Sequence, residues 1–386
     1  MQKTVLSLSV AAALAVPTLA LAQAAPAVPT LDKVLEASGV SMSGYIDTAY
    51  THANRDIETG FSPRVFDSYN NDFLLHQVGL QVAKQPKQGA GGVVNITAGK
   101  DASVIKSIGS TDSTWDVTQA YLSYATGPWH VMAGKFATLH GTEVIWSPSN
   151  ANYSRSLLFG SVPFTHTGLR AHFEIPDAVT FYAGMNNGWD QMTDQNKNKS
   201  VELGLTATPI KPLSLAASYY GGKEIAGGAV TGTTGINDRR DSFNLVGSYT
   251  VIEPLSVGLE YLNVKHKQSV FDSTGAVKDG TYSGIAAYLS YMFMPKFKAA
   301  LRAEALDDKD GLRFPAAVTA ANSNPGVAVS GTKHKEITLT LSYALADNLD
   351  IRGEVRQDKA NEAVYTDGSN MSKSLTTYAL QGIYKF

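Results

Sequence analysis

The chain is dominated by short segments in which apolar and polar side chains alternate one by one. From Met42 to the last residue, sixteen such segments follow one another, most of them 9 to 12 residues long. A period of two is the pattern of a β-strand with one apolar face, and about 9–11 residues let a tilted strand cross a bilayer. The segments are 42–52, 73–84, 92–101, 116–126, 129–136, 165–175, 179–186, 200–209, 213–222, 241–251, 255–266, 281–293, 297–307, 335–345, 349–359 and 375–386.

The connections between these segments alternate between two kinds. Tight turns are indicated at 127–128, 176–178, 210–212, 252–254, 294–296 and 346–348, and long polar loops at 53–72, 137–164, 223–240, 308–334 and 360–373. Bacterial outer-membrane barrels have this arrangement, with short periplasmic turns and longer outside loops. We therefore predict an all-β protein, a transmembrane antiparallel β-barrel of about 16 strands.

The polar face of the predicted strands carries many charged residues, which a lipid-facing surface would exclude. We take them as candidates for lining the pore: Arg170, Glu174, Glu202, Glu260, Arg302, Glu304, Arg352, Glu354 and Arg356. The mixed signs are consistent with ion pairs that stiffen a wet lumen, or with a transverse field that orients solutes. Both interpretations stay open at this stage.

The last strand, LTTYALQGIYKF, ends on an aromatic residue. Tyr378, Tyr384 and Phe386 share one face with Leu380, and a lipid-facing row gives these rings a place that water would not. A terminal aromatic strand resembles the C-terminal assembly signal of outer-membrane proteins, which implies that the barrel assembly machinery is a partner.

The N-terminus has the features of a secretory signal. Lys3 precedes an apolar run, and Ala20 and Ala22 fit cleavage after Ala22. We predict a signal peptide at 1–22, a periplasmic linker at 23–41 with a short helix at 31–39, and the barrel at 42–386. The predicted location is the outer membrane of a Gram-negative type of cell, in contact with lipid and lipopolysaccharide.

Two stretches resemble the outer-membrane family of beta-barrel porins of the OmpL-like type. They are RVFDSYNNDFLLHQVGLQVAK at 64–84 and FATLHGTEVIWSPSNANYSRSLLFGSVPFTHTGLRA at 136–171. Together they cover about a sixth of the predicted mature chain, and the remainder matches in barrel pattern alone. The resemblance implies a pore and does not define its solute.

The loop at 137–164 is less polar than the other long loops. It contains Val144, Ile145, Trp146, Leu157, Leu158, Phe159 and Val162, an apolar load that a loop in water would not carry. By resemblance to sixteen-stranded porins, we expect it to fold into the lumen as a constriction, with Glu143 and Arg155 facing the pore. The alternative is a contact loop between subunits.

Composition and motifs argue against catalysis and nucleic-acid binding. The formal net charge is -2 and there is no cysteine, so neither a basic surface nor a thiolate site is expected. His140 with Glu143 is too small a set for a metal site, and His166 and His172 near Ser161 and Thr165 do not complete a triad. We predict no catalytic residues, no metal and no cofactor.

The predicted function is therefore passive diffusion of small hydrophilic solutes or ions through an outer-membrane porin. The alternatives are a barrel enzyme of the outer-membrane lipase type and a structural or adhesion barrel whose lumen is plugged, for instance by the helix at 31–39. A homo-oligomer is left open.

Overall fold

The structure is a computed structural model that describes residues 30–57, 64–110, 114–225, 237–271, 277–314 and 331–386. The predicted signal peptide at 1–22 and the linker up to residue 29 lie outside these residues. Parts of the predicted loops at 53–72, 223–240 and 308–334 lie outside them as well.

Sixteen antiparallel strands form a closed barrel, and two further short strands form a hairpin in the last long loop. This confirms the predicted fold. The barrel strands are β1 (Ser41–Ala53), β2 (Asp72–Lys84), β3 (Gly89–Ala98), β4 (Trp115–Thr126), β5 (Trp129–Ala137), β6 (Thr165–Ile175), β7 (Val179–Asn186), β8 (Ser200–Ile210), β9 (Leu213–Ile225), β10 (Asn237–Ile252), β11 (Leu255–Phe271), β12 (Val277–Met294), β13 (Phe297–Asp308), β14 (Thr332–Ala346), β15 (Leu349–Ala360) and β18 (Ser374–Lys385). The hairpin consists of β16 (Tyr365–Asp367) and β17 (Asn370–Ser372).

The described residues include two short α-helices that are not part of the barrel wall, α1 (Leu31–Ser38) and α2 (Ala102–Ile105). Among the residues described, neither helix has the length and apolar composition needed to cross a membrane. Helix α1 ends at Gly39 in the left-handed conformation, with φ 65°. Val34 on α1 is 47% exposed, and residues 36–38 are exposed too.

The barrel closes between its first and last strands. β1 pairs with β2 on one side and with β18 on the other, in a register that places Tyr45 opposite Lys385. Beyond the last ladder pair, Gly44 N donates to Phe386 O at 2.8 Å and Phe386 N donates to Gly44 O at 2.9 Å. The terminal residue is therefore part of the seam, and the seam leaves no open edge to face lipid.

The boundaries of six strands, β3, β9, β10, β11, β12 and β14, differ from the sequence prediction by three residues or more. β3 was expected at 92–101 and lies at Gly89–Ala98, because its first four residues pair with residues 122–125 of β4 instead of forming a turn. It ends where Gly99 takes φ 113°. β10, β11 and β12 extend past the predicted 241–251, 255–266 and 281–293 toward the long loops. The extension of β10 is polar on both faces, and that of β11 ends on the adjacent apolar residues Val270 and Phe271, so the alternation that indicates a strand is lost there.

Alternate residues on each strand face outward and are apolar. On β14 the pattern of buried and exposed residues alternates strictly from Thr332 to Leu341. Aromatic rings meet outside near the strand ends, at centroid distances of 4.7 Å for Tyr50 with Phe73 and 4.9 Å for Trp129 with Phe173. Tyr378, Leu380, Tyr384 and Phe386 belong to this surface, with exposed fractions of 50%, 59%, 43% and 56%. Such rings fit the aromatic belts at membrane interfaces.

The assignment of faces predicts opposite results for two positions on β11. Leu259 is 57% exposed on the outer face, so Leu259→Arg should lower the free energy of unfolding by about 2–4 kcal/mol, the cost of a cation near the bilayer midplane. Ser256, on the inner face, should accept arginine with little change. Urea titration of the protein folded into phospholipid vesicles measures both. Equal losses at the two positions would show that the face assignment is wrong.

Candidate functional site

The third long connection, residues 138–164, lies inside the barrel, and we name it loop L3. Every residue from Asn152 to Pro163 is buried. Its apolar side chains Leu157, Leu158 and Val162 pack on inward-facing residues of β11, β12 and β13 and on the loop that follows, namely Leu262, Val264, Tyr282, Ala286, Leu306 and Phe314. The apolar content that set this loop apart in the sequence is therefore buried against the inner wall.

Carboxylates on the barrel wall accept the backbone N–H groups of L3. The Glu354 carboxylate accepts from Tyr153 N at 2.7 Å and Ser154 N at 3.0 Å. The Glu304 carboxylate accepts from Leu157 N at 2.6 Å and Leu158 N at 3.2 Å. Glu260 accepts in the same way from Thr142 N at 2.9 Å. These bonds satisfy backbone donors that L3, which has no β-ladder, would otherwise bury without partners.

Arginines on the same wall donate to L3. Nη1 of Arg302 donates to Ser154 O and to Glu143 Oε1, both at 2.7 Å, and Nε donates to Glu336 Oε1 at 2.7 Å. Both Arg302 and Arg356 are fully buried. Arg356 donates to Arg155 O at 2.6 Å. The alternating charges of β13–β15 thus hold a loop in place, which favours the structural interpretation over a field acting on solutes in open water.

Arg155 corrects one expectation of the sequence analysis. Its side chain is 1% exposed and does not face the pore. Nε donates to Val144 O at 3.1 Å and Nη1 donates to Tyr153 O at 2.8 Å. The guanidinium therefore connects two segments of L3 that are separated in sequence. The rings of Phe66 and Phe159 lie 5.4 and 5.7 Å from it. The loop buries this cation because its own carbonyl groups provide the hydrogen-bond acceptors.

Glu143 lies at the boundary between L3 and open space. It is 8% exposed, lines a cavity and pairs with Arg302 at 2.7 Å. Burial alone would raise the pKa of this carboxyl, but the Arg302 and Arg155 guanidinium groups outweigh burial and hold the pKa below its usual range. The Glu143 carboxylate is therefore ionised and also accepts from Ser156 N at 2.7 Å.

Four charged residues of this network were not among the sequence candidates. Arg64 forms one ion pair with Asp358 and another with Asp67, the latter at 2.9 Å. Glu336 forms an ion pair with Arg302. Glu336 and Asp358 occupy the inward positions of predicted strands, so the alternation itself could have identified them. Arg64 and Asp67 lie in a loop, where no periodic signal marks a residue as inward-facing.

The other candidates lie apart from L3 or at the rim. Arg170 pairs with Glu202 at 2.8 Å on the wall of β6 and β8, beside a second pair, Lys135 with Asp116, also at 2.8 Å. Glu174 is exposed next to the short turn after β6. The structure therefore gathers Glu143, Glu260, Arg302, Glu304, Glu354 and Arg356 around L3, and leaves the Arg170–Glu202 pair on a different wall.

The histidines do not combine with neighbouring residues into a metal or nucleophile site. His140 hydrogen-bonds with the hydroxyls of Ser218 at 2.8 Å and Ser242 at 2.9 Å, and burial lowers its pKa to about 3, so the ring stays neutral. The Ser161 hydroxyl donates to Leu157 O at 2.7 Å, and His166 stacks on Tyr220. Across the described ranges, no group of three or more histidine or carboxylate side chains is placed to hold a metal ion.

Among the cavities that adjoin L3 in the described part of the chain, two share a residue at its tip. One of about 400 Å³ lies between L3 and the wall of β1–β5 and reaches Phe164 at the long-loop end. The other, of about 610 Å³, lies under L3 and reaches the short turns at Glu253, Pro295 and Asp347. Ser149, at the tip of L3, lines both cavities. Space for a solute therefore exists on both sides of this residue.

Solved structures of outer-membrane proteins share this architecture at low sequence identity. OmpF of Salmonella typhi, in complex with daunomycin, gives a TM-score of 0.59 at 14% identity, with 90% of this chain and 97% of that chain covered. For DcaP of Acinetobacter baumannii, an outer membrane channel, the TM-score is 0.57 at 15% identity, with 90% of this chain and 97% of that chain covered. In-vitro folded OmpT of Vibrio cholerae, in its trimer form, gives a TM-score of 0.56 at 16% identity, with 90% of this chain and 99% of that chain covered.

At these identities the likeness establishes the fold alone. No curated protein matches the sequence. The family described as "Putative beta-barrel porin-2, OmpL-like" matches residues 39–386, which is the whole barrel together with the end of the segment before it. The chain therefore belongs to this family of outer-membrane β-barrel porins.

Proposed function

We propose that the protein is a porin through which small hydrophilic solutes or ions diffuse passively, and that L3 sets the narrowest part of the passage. One observation supports this most directly: L3 occupies the lumen, yet cavities of about 400 and 610 Å³ adjoin it, and both reach Ser149. A solute would pass from the long-loop end through the first cavity, around Ser149, and into the second.

The wall of the first cavity favours uncharged hydrophilic solutes. It presents hydroxyl and amide side chains, namely Ser43, Gln81, Asn95, Thr118 and Gln119, opposite Val144, Ile145 and Trp146 of L3. Such groups can replace part of a solute's hydration shell with hydrogen bonds. Glu143 is the one carboxylate in this lining, and it is paired with Arg302. We therefore expect weak ion selectivity in the first half of the path.

A single introduced cysteine tests the path, because the natural chain contains none. In Ser149→Cys, reaction with a thiol-specific trimethylammonium reagent should lower the single-channel conductance by tens of per cent. The added group occupies the point that both cavities share, and a bulky cation in a narrow passage obstructs ion flow. Planar-bilayer recording before and after addition of the reagent measures the change.

Met371→Cys provides the matched control. Met371 is 43% exposed on the β16–β17 hairpin, away from both cavities, so its modification should leave the conductance unchanged. A Ser149→Cys channel that reacts with the reagent, shown by mass spectrometry, without any loss of conductance would refute the proposed path.

The same geometry favours passive diffusion over the two alternative functions. For an enzyme of the lipase type, Ser161 would need a histidine partner, and its hydroxyl is instead bonded to the carbonyl of Leu157. For a barrel plugged by α1, that helix would need to be buried, and its described side chains are largely exposed. We infer that the protein is not an enzyme and requires no cofactor.

Further proposals concern export and assembly. Cleavage after Ala22, contact with lipopolysaccharide and recognition by the barrel assembly machinery stay predictions from the sequence. A homo-oligomer is supported by the trimer form of OmpT, one of the structures that share the fold. Size-exclusion chromatography with light scattering in detergent would determine the oligomeric state.

A further inference from the structure

A row of inward-facing residues lies on the wall next to the row that L3 bonds to, on the side of the short turns. Strand register places Lys298, Ser342, Arg352 and Gln381 side by side on β13, β14, β15 and β18. In the adjoining row, toward the long loops, L3 covers Glu354 and Thr340, which bond to its residues 152–154. Among the described residues, L3 lies over the row with Arg352 without a hydrogen bond to it.

Arg352 differs from the other buried arginines of this wall. It is 6% exposed, yet in the part of the chain that the structure describes it forms no ion pair and its Nε has no hydrogen-bond partner. Its one hydrogen bond runs from Nη1 to Gln381 Oε1, at a long 3.5 Å. Arg302 and Arg356, by contrast, are each paired with carboxylates. A buried cation without a partner is costly, and a carboxylate ligand would relieve that cost.

The guanidinium faces a cavity with the size and lining of a ligand site. The cavity of about 610 Å³ is lined by both Arg352 and Lys298, with hydroxyls from Ser256, Ser290 and Ser342 and a roof from residues 148–151 of L3. Its volume lies within the roughly 300–1,000 Å³ of small-molecule pockets. Lys298 and Arg352 are two strands apart, so their Cα atoms lie about 10 Å from each other.

The other charged groups of the cavity form no ion pair with Arg352 or Lys298 within the described ranges. Lys385 is matched by Asp350 at 2.9 Å, while Glu253, Lys296 and Asp347 lie on the short turns at the mouth. Within the described ranges, Lys298, like Arg352, forms no ion pair. The two cations thus line one cavity without a carboxylate in contact with either of them, and the carboxylates of Asp47, Asp350 and Glu354 act on Arg352 from a longer distance.

We propose that Arg352 and Lys298 form a binding subsite for a small organic anion that carries carboxylate groups, on the periplasmic side of the constriction. The guanidinium offers two parallel N–H donors to a carboxylate, an arrangement that an ammonium group cannot reproduce. Lys298 takes a second anionic group, and the serine hydroxyls accept or donate around it. This subsite rests on the proposed porin function, because the solute reaches it through the channel.

Current block by a dicarboxylate tests the subsite. Glutarate, added on the short-turn side of single channels in potassium chloride, should cause brief closures, whereas its uncharged analogue glutaramide should not. Arg352→Gln should raise the half-blocking concentration at least about tenfold, since hydrogen bonds to a charged group are lost. Arg352→Lys should fall between the two, because it keeps the charge and loses the paired donors.

The control removes a lysine from the long-loop end. Lys265 is exposed and paired with Asp279 at 3.0 Å, so Lys265→Gln should be blocked like the natural protein. Arg352→Gln should fold normally by heat-modifiable mobility, because no carboxylate loses its partner. The subsite would be overturned if glutarate blocked Arg352→Gln as strongly as the natural protein. It would also be overturned if the natural channel conducted ions and glutarate did not block it. Neither result would contradict the porin function. A protein that conducts no ions at all would overturn the porin function itself.

Discussion

Replacing Arg302 by glutamine should detach L3 from the barrel wall and raise the single-channel conductance. Arg302 is fully buried and holds Glu143, Glu336 and the Ser154 carbonyl, each at 2.7 Å. The substitution leaves Glu143 buried without its paired cation and leaves Glu336 with Arg356 Nε at 3.5 Å, and breaking a buried ion pair costs about 3–5 kcal/mol. Since the barrel wall is a complete ladder without L3, the protein can relieve this cost by releasing the loop. Planar-bilayer recording should show a larger and noisier open state.

A second substitution separates loss of charge balance from loss of hydrogen bonds. In the double variant Arg302→Gln with Glu143→Gln, a neutral amide replaces the Glu143 carboxylate that lost its partner, so part of the increase in conductance should be reversed. The interaction energy of such neighbours is commonly about 0.5–3 kcal/mol. Limited proteolysis gives an independent reading, because a released L3 becomes accessible to protease. If Arg302→Gln kept both the natural conductance and the natural resistance of L3, the wall charges would not be its anchor.

Removing residues 384–386 should prevent assembly of the barrel altogether. These residues pair with residues 44–46, near the start of β1. Tyr384 lies opposite Ile46 and Lys385 opposite Tyr45, and Phe386 exchanges two backbone hydrogen bonds with Gly44. Their loss opens the seam and exposes backbone groups of β1 to lipid, where each unsatisfied group costs several kcal/mol. The truncated protein should be missing from outer-membrane fractions and should lack a heat-modifiable form on gels.

Deletion of α1 is the matched control, because this helix is largely exposed and contributes nothing to the seam. The chain without residues 31–38 should reach the membrane and show normal heat modification. A chain lacking residues 384–386 that did the same would show that the terminal residues are dispensable for closure and for export.

The sequence alone predicts the strands of the barrel wall and the face on which most of their residues lie. It does not predict how the interior is packed. The alternation on β14 follows from the lipid on one side and the polar lumen on the other, so each residue can be assigned to a face by counting. The role of Arg155 cannot be found in this way. Its partners are carbonyl groups of L3, whose positions depend on how the loop folds. The sign and spacing of Arg302 and Glu304 likewise indicate lumen charges without revealing that a loop covers them.

The same limit applies to Arg352. In the sequence it stands in a row with Glu354 and Arg356 and looks equivalent to them. The structure separates the three, because L3 bonds to Glu354 and Arg356, whereas Arg352 donates to Gln381 of the wall. Which wall residues a loop bonds to depends on its length and packing, and no local pattern records them.

The anchoring of L3 also sets an order of events during folding. Its backbone bonds join residues that lie 118 positions apart for Thr142 and Glu260, and 201 apart for Tyr153 and Glu354. Contacts between such distant parts of a chain form late, since the intervening segments must first be brought together. The strands that hold L3 come in the second half of the sequence. We therefore expect L3 to take its final position, and the channel its final width, only after β11 to β15 have joined the wall.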